Sequence, residues 1–165
     1  MALGFLPIVG FNFTLYAEMQ SKSVFYIQRN KNRNEVHYAL RLNPEACVPV
    51  GKHPLFAYWR NLEISPTAIE PIGRFESIAY GIASQELKGN DLFVKLRAFP
   101  ERIIRIHFEK NPRCTATAHV TINGRESELK FIYVFAKEGL IKPTVIYVDI
   151  NGQLNGVKVS ERILR

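Results

Sequence analysis

Three histidines, His37, His107 and His119, fall on the polar side of segments that alternate apolar and polar residues. Imidazoles facing one way could ligate zinc. The spacing argues against a shared ion. A turn at Asn111-Pro112 pairs His107 near Thr115 and His119 near Ile103, leaving the two rings about four residues apart along a ladder, on the order of 13 Å. No metal and no cofactor are therefore expected. Nucleophilic catalysis finds no local pattern either. There is no Gly-x-Ser-x-Gly elbow, Cys47 lies in a proline-flanked loop, and no glycine motif could cradle a phosphate. Asp91 and Asp149 are the only aspartates, so a calcium loop or an acid–base pair would have to draw on glutamate. Glu63, Glu70 and Glu76 are the one cluster worth testing for such chemistry, and no catalytic residue is assigned.

Binding chemistry has more support. Arg29, Lys31 and Arg33, with Arg41 beyond, make the densest positive patch, and asparagines interleave it. Tyr58-Trp59-Arg60 adds aromatic surface, and guanidinium groups beside a stacking plane suit sugars, nucleotides or anionic headgroups. The candidate ligand-binding set is thus Arg29, Lys31, Arg33, Tyr58, Trp59 and Arg60. A solvated hairpin tip kept soluble by charge explains the same residues without a ligand. Cys47 and Cys114 are the only cysteines. In an exported protein they could close one disulfide, and in the cytosol they would be two buried thiols. With no Cys-x-x-Cys pair, a zinc ribbon is excluded.

The elements that must position these residues are strands. The 165 residues suit one domain, and 47% hydrophobic with 22% charged residues rule out a disordered chain. A net charge of +7 and a pI near 9.5 favour polyanions, acidic surfaces or phosphorylated ligands over acidic proteins, and raise nucleic acid only modestly. Met1 to Ala17 is apolar, with no charge before Glu18, and is interrupted by Gly4, Pro7 and Gly10. It is short for a membrane span and fits the core of a secretory signal cut after Ala17, although no Lys or Arg precedes it. A packed strand is the alternative. Residues 1–22 are accordingly read as an apolar N-terminal segment and 23–165 as a single β domain.

Val36, Tyr38, Leu40 and Leu42 alternate with Glu35, His37, Ala39 and Arg41, a period-two strand with one buried face. Val24 to Arg29 precedes it across a polar tip, and Leu55 to Arg60 follows it. Phe75, Ile78, Ala79 and Ile82 fall at helical spacing and predict one short helix near 72–80 that plugs or flanks the sheet. Hairpin signals then recur at Gly89-Asn90, Pro100-Glu101, Asn111-Pro112 and Asn123-Gly124. Asn151 to Gly156 reads as a loop before the last strand. The pattern predicts an antiparallel meander of about ten strands, closed as an up-and-down barrel, with a two-sheet sandwich as the alternative.

Ser23 to Asn34, Phe56-Ala57-Tyr58-Trp59-Arg60, Ala79-Tyr80-Gly81 and Glu161-Arg162-Ile163 together resemble a largely bacterial family, domain of unknown function 4833. The resemblance covers Ser23 to Ile163. It implies a compact domain, often behind an export signal, and carries no activity, cofactor or site residue. The expected function is a non-enzymatic binding or structural domain of the cell envelope, periplasmic or secreted. A closed barrel could hold a small apolar or amphipathic ligand in a lumen lined by Tyr38, Leu96, Phe131 and Tyr133, or side chains could fill that lumen and leave no ligand site. The alternative is an intracellular anion- or nucleic-acid-binding module using the basic tip.

Overall fold

Left-handed backbone at a few positions sets where the chain turns. Gly89 (φ 58°), Asn123 and Gly124 (48° and 77°), and Asn155 and Gly156 (52° and 79°) provide it. These residue types tolerate positive φ at little steric cost, and Asn-Gly is the preferred centre of a two-residue hairpin. The computed structural model describes residues 23–30, 34–65, 67–137, 139 and 143–165. In chain order they form β1 (Ser23–Arg29), β2 (Asn34–Leu40), β3 (Leu42–Asn43), β4 (Val48–Pro49), β5 (Leu55–Asn61), β6 (Ile69–Pro71), α1 (Glu76–Tyr80) and β7 (Ile82–Lys88). β8 (Asp91–Leu96), β9 (Phe99–Lys110), β10 (Cys114–Ile122), β11 (Arg125–Lys137), β12 (Thr144–Leu154) and β13 (Val157–Leu164) complete the fold. The apolar segment 1–22 and the tip residues Lys31 and Arg33 lie outside the described residues. No described helix is long and apolar enough to cross a membrane.

The closed meander is corrected on two counts. The main sheet runs β6-β5-β2-β1-β11-β10-β9-β8-β7, with β12 and β13 branching from β11, while β3 and β4 pair separately. β1 lies parallel to β11, Tyr26 opposite Phe131. The sheet is therefore mixed. It is also open: β6 and β7 end the order with no ladder between them, so the result is a curled half-barrel and neither a closed barrel nor a sandwich. β6 occupies the outer edge of β5 at Tyr58, Trp59 and Arg60. Closer to the start of β5, a β7 side chain bridges the two strands. Gln85 Oε1 accepts from the Leu55 N–H at 2.9 Å and its Nε2 donates to the Leu55 carbonyl at 3.1 Å.

β11 is the hinge of the architecture. On one edge it pairs with β12; on the other it pairs first with β10, at Arg125 to Glu128, and then with β1, at Phe131 to Val134. The sheet forks where its partner changes. A β-bulge sits at the same place, between Leu129 and Phe131. An extra residue reverses the facing of everything after it. Leu129 and Ile132 consequently both point into the core, and Phe131 and Tyr133 lie outside. Of the expected lumen residues, Tyr38 and Leu96 are fully buried in the core, while Phe131 and Tyr133 belong to the other face.

Two further expectations change. α1 is shorter than the 72–80 span and does not plug the sheet with its periodic apolar residues, since Phe75 is 89% and Ile78 66% exposed. Ile72 and Tyr80 pack on the core instead. β12 runs through Asn151-Gly152 to Leu154, so the predicted loop shrinks to the turn at Asn155-Gly156. The thiol alternative is resolved in favour of a disulfide. Cys47 and Cys114 are bonded (S–S 1.98 Å) across 67 residues of chain, fastening the β3–β4 hairpin to the start of β10. Closing such a loop stabilises by roughly 4 kcal/mol in the chain-entropy model. The bond is consistent with an extracytoplasmic, oxidising compartment.

Candidate ligand-binding site

Register builds one end of the half-barrel. Val36 stands opposite Trp59, Trp59 opposite Glu70, and Asn34 opposite Asn61. Directly opposed residues share a face, and so do residues two apart on one strand. Because Val36 is fully buried, Trp59, Glu70, Asn34 and Asn61 all lie on the inner side, at the rim where the core ends. α1 adds Glu76, whose carboxylate accepts from the Gly73 N–H. Asn34, Trp59, Asn61, Glu70 and Glu76 line a cleft of about 200 Å³. That is smaller than the pockets which hold drug-sized ligands, and it has room for a single ring.

Trp59 is held in place by Tyr80, edge to face, with centroids 5.2 Å apart. Tyr80 is anchored in turn. Its carbonyl accepts from the Tyr38 hydroxyl at 2.7 Å, and its phenol is hydrogen-bonded to Arg29. Burial raises the Tyr80 pKa, and the Arg29 charge partly opposes that rise. The indole N–H of Trp59 is buried and has no acceptor among the described residues. A buried donor without an acceptor costs about 1–3 kcal/mol. The cleft beside that ring is lined by the indole, two carboxylates and two carboxamides. This set suits a ligand with one apolar face and several hydroxyls.

The six residues expected to bind together are divided. Arg29 and Trp59 meet through Tyr80 at the inner rim. Tyr58 and Arg60 alternate with Trp59 along β5 and so face outward, and Lys31 and Arg33 are outside the described residues. Of the glutamate cluster, Glu70 and Glu76 line the cleft, whereas Glu63 is not among its lining residues. Nothing local in the sequence places Asn61 beside Asn34 of the hairpin tip, because only the strand register makes them neighbours.

The outer face carries an arrangement that local motifs do not reveal. Tyr58, His37, Tyr26 and Phe131 stand directly opposite one another across β5, β2, β1 and β11, and their rings stack at 5.2–5.6 Å. His37 is 5% exposed within this row. Its Nε2 lies 2.7 Å from Glu35 Oε2 and its Nδ1 2.8 Å from Ser23 Oγ. An ionised carboxylate can only accept, so Nε2 carries the proton and Nδ1 accepts from the serine hydroxyl. Burial lowers the His37 pKa, outweighing the hydrogen bond and charge of Glu35, which raise it, and Arg60 lowers it further. The fold therefore favours the neutral imidazole.

The histidine register also needs correction. Lys110 pairs with Cys114, so the loop is Asn111 to Arg113, and His107 opposes Thr117 while His119 opposes Arg105. The two histidines are thus diagonal neighbours, about 7–8 Å apart. Their surroundings are committed to ion pairs: Asp91 Oδ1 lies 2.9 Å from both His107 Nδ1 and Arg105 Nη1. No group of three or more His, Cys, Asp or Glu among the described residues could hold a metal ion.

A family model, Domain of unknown function (DUF4833), matches residues 25–162. The match covers most of the chain, and the protein belongs to that family. No curated protein and no solved structure matches it.

Proposed function

We propose that the protein is a periplasmic or secreted binding domain whose rim cleft takes one amphipathic, hydroxyl-bearing ring, such as a single sugar residue. The observation that carries this reading is Trp59: an indole against an open cleft, with its N–H buried and no acceptor among the described residues. A sugar would lay its apolar face on the ring and offer hydroxyls to Glu70, Glu76 and the asparagines. The disulfide supports residence outside the cytoplasm. A lipid chain fits less well, because Tyr38 and Leu96 are buried in the core rather than lining a lumen.

Trp59 is the only tryptophan, so the protein gives one indole N–H resonance and one indole fluorophore. Titration with N-acetylglucosamine, glucose and methyl glucoside should move that resonance and shift the emission with saturation. Glu70→Gln should weaken the response at least tenfold while leaving the far-UV spectrum unchanged. An indole resonance unmoved by every sugar, or one that responds equally in the Glu70→Gln protein, would refute the reading.

A further inference from the structure

We propose that the outer face of the sheet carries a second site, which binds a nucleoside monophosphate with its base stacked on Phe131 and its phosphate on Lys130 and Lys158. The site is separate from the rim cleft and does not depend on the binding role proposed there. It begins where the row of rings ends. Tyr58, His37, Tyr26 and Phe131 stack at 5.2–5.6 Å across four strands, close to the spacing of the strands themselves. Beyond Phe131 the same row continues on β12 and β13 as Asn151 and Ser160. A carboxamide and a hydroxyl thus stand where further rings would extend the stack. Tyr26 covers one face of Phe131, with 9° between the ring planes, and the opposite face is turned toward β12.

A cleft of about 310 Å³ opens at that place, lined by Lys130, Phe131, Asn151, Gln153, Lys158 and Ser160, with Gly152 and Val159 between them. Register puts these six side chains on one face. Asn151 opposes both Phe131 and Ser160, and Gln153 opposes Lys158 two residues away. Lys130 is the extra residue of the β11 bulge and has no partner in the β12 register. Glu128 opposes Gln153, and the Lys130 ammonium is bonded to the Glu128 carboxylate, so Lys130 shares the face. The bulge therefore sets an ammonium group and an aromatic ring side by side on consecutive residues.

The cleft is cationic. Two ammonium groups line it and no carboxylate does. Lys130 is bonded to Glu128, whereas Lys158 forms no ion pair among the described residues. The next carboxylate along β12, Asp149, accepts from Arg162 through both oxygens at 2.7 Å and so is already neutralised. Asn151 Nδ2 donates to the Asp149 carbonyl at 3.2 Å, which leaves its Oδ1 as an acceptor, and Gln153 supplies a donor and an acceptor. A planar base adds a fifth member to the row and presents its edge to these carboxamides, since every base has a π face for an aromatic ring. A phosphate takes charge-assisted hydrogen bonds from the two lysines. The volume lies at the low end for ligand pockets and suits one nucleotide.

The test is calorimetric titration of the full disulfide-bonded chain with AMP, adenosine, inorganic phosphate and benzoate. AMP should bind saturably. Adenosine lacks the phosphate, inorganic phosphate lacks the ring, and benzoate lacks the hydrogen-bonding edge, so each should bind at least about tenfold more weakly. In amide NMR spectra AMP should move the Gly152 and Ser160 resonances and leave the Trp59 indole resonance in place, because Trp59 lines the inner rim. Sugars that move the indole have no bearing on this result, so the two sites stand or fall separately. Lys158→Gln, at an exposed position, should weaken AMP binding on the order of tenfold. Phe131→Leu should weaken it at least about fivefold. Lys95→Gln, on β8 and remote from the cleft in the sheet order, should leave binding unchanged, which separates this site from the general positive charge. If Phe131→Leu does not fold, Lys158→Gln and the four ligands decide. No binding of AMP, adenosine, phosphate or benzoate binding as tightly as AMP, an indole shift in place of the Gly152 shift, or Lys158→Gln matching the wild type would each overturn the proposal.

Discussion

Burial favours the uncharged form of His37, and that fixes how its burial bears on stability. Its folded pKa lies below the ordinary value of 6.5, chiefly through desolvation. Between those two values the unfolded chain binds a proton that the folded chain refuses, so stability falls with falling pH through that window and is fully present above about 6.5. One such group contributes at most about 1.4 kcal/mol per pH unit. His119, also lowered mainly by burial, has the same sign, so the measurement must be a difference. Urea unfolding of the wild type and of His37→Gln at pH 7.5, 6.5 and 5.5 should show a shallower loss in the variant. Equal slopes would mean that His37 is not held neutral by the fold. Alternation alone correctly placed His37 opposite the core-facing Val36 and Tyr38. Its burial was not legible, because the rings that cover it come from β1 and β5 and reach it only through register.

A single extra residue in β11 separates what the sequence suggests from what the element does. Strict alternation assigns Leu129, Phe131, Tyr133 and Phe135 to one face, and nothing local marks Lys130 as the break. The bulge arises where β11 exchanges β10 for β1, a partner some hundred residues away in the chain, and so leaves no local trace. Hairpins, by contrast, were legible where turn chemistry is local, as at Gly89-Asn90 and Asn123-Gly124. Asn151-Gly152 looked like the same signal but serves packing. A Cβ on Gly152 would meet the Glu128 carbonyl oxygen at 2.2 Å and Ile122 Cδ1 at 2.8 Å, so this strand position requires glycine for close approach rather than for turning. Gly152→Ala must push β12 from β11 and should cost at least about 2 kcal/mol in chemical denaturation. A variant within about 0.5 kcal/mol of wild type would show that the two strands yield easily there.

For the whole molecule, short connections correctly signalled sequential antiparallel pairing from β7 to β11 but not what joins the two wings. The parallel β1–β11 ladder joins segments some hundred residues apart in the chain, and the ends of the sheet meet without a ladder. The seam between β5 and β7 is made instead by one carboxamide, which supplies both a donor and an acceptor to the Leu55 backbone as a neighbouring strand would. Leu55 is 2% exposed, so water cannot readily replace those bonds. Gln85→Ala leaves a buried N–H and a buried carbonyl unpaired and should destabilise the fold by about 2–3 kcal/mol. Gln85→Glu keeps the acceptor and loses the donor, so it should leave the Leu55 N–H bonded and only the carbonyl stranded. Amide hydrogen exchange distinguishes the two variants. The Leu55 amide should lose protection in Gln85→Ala by more than global stability accounts for, while in Gln85→Glu its loss should match the global change alone. A Leu55 amide as protected in Gln85→Ala as in the wild type would mean that packing, not the side-chain clasp, holds the half-barrel together at its seam.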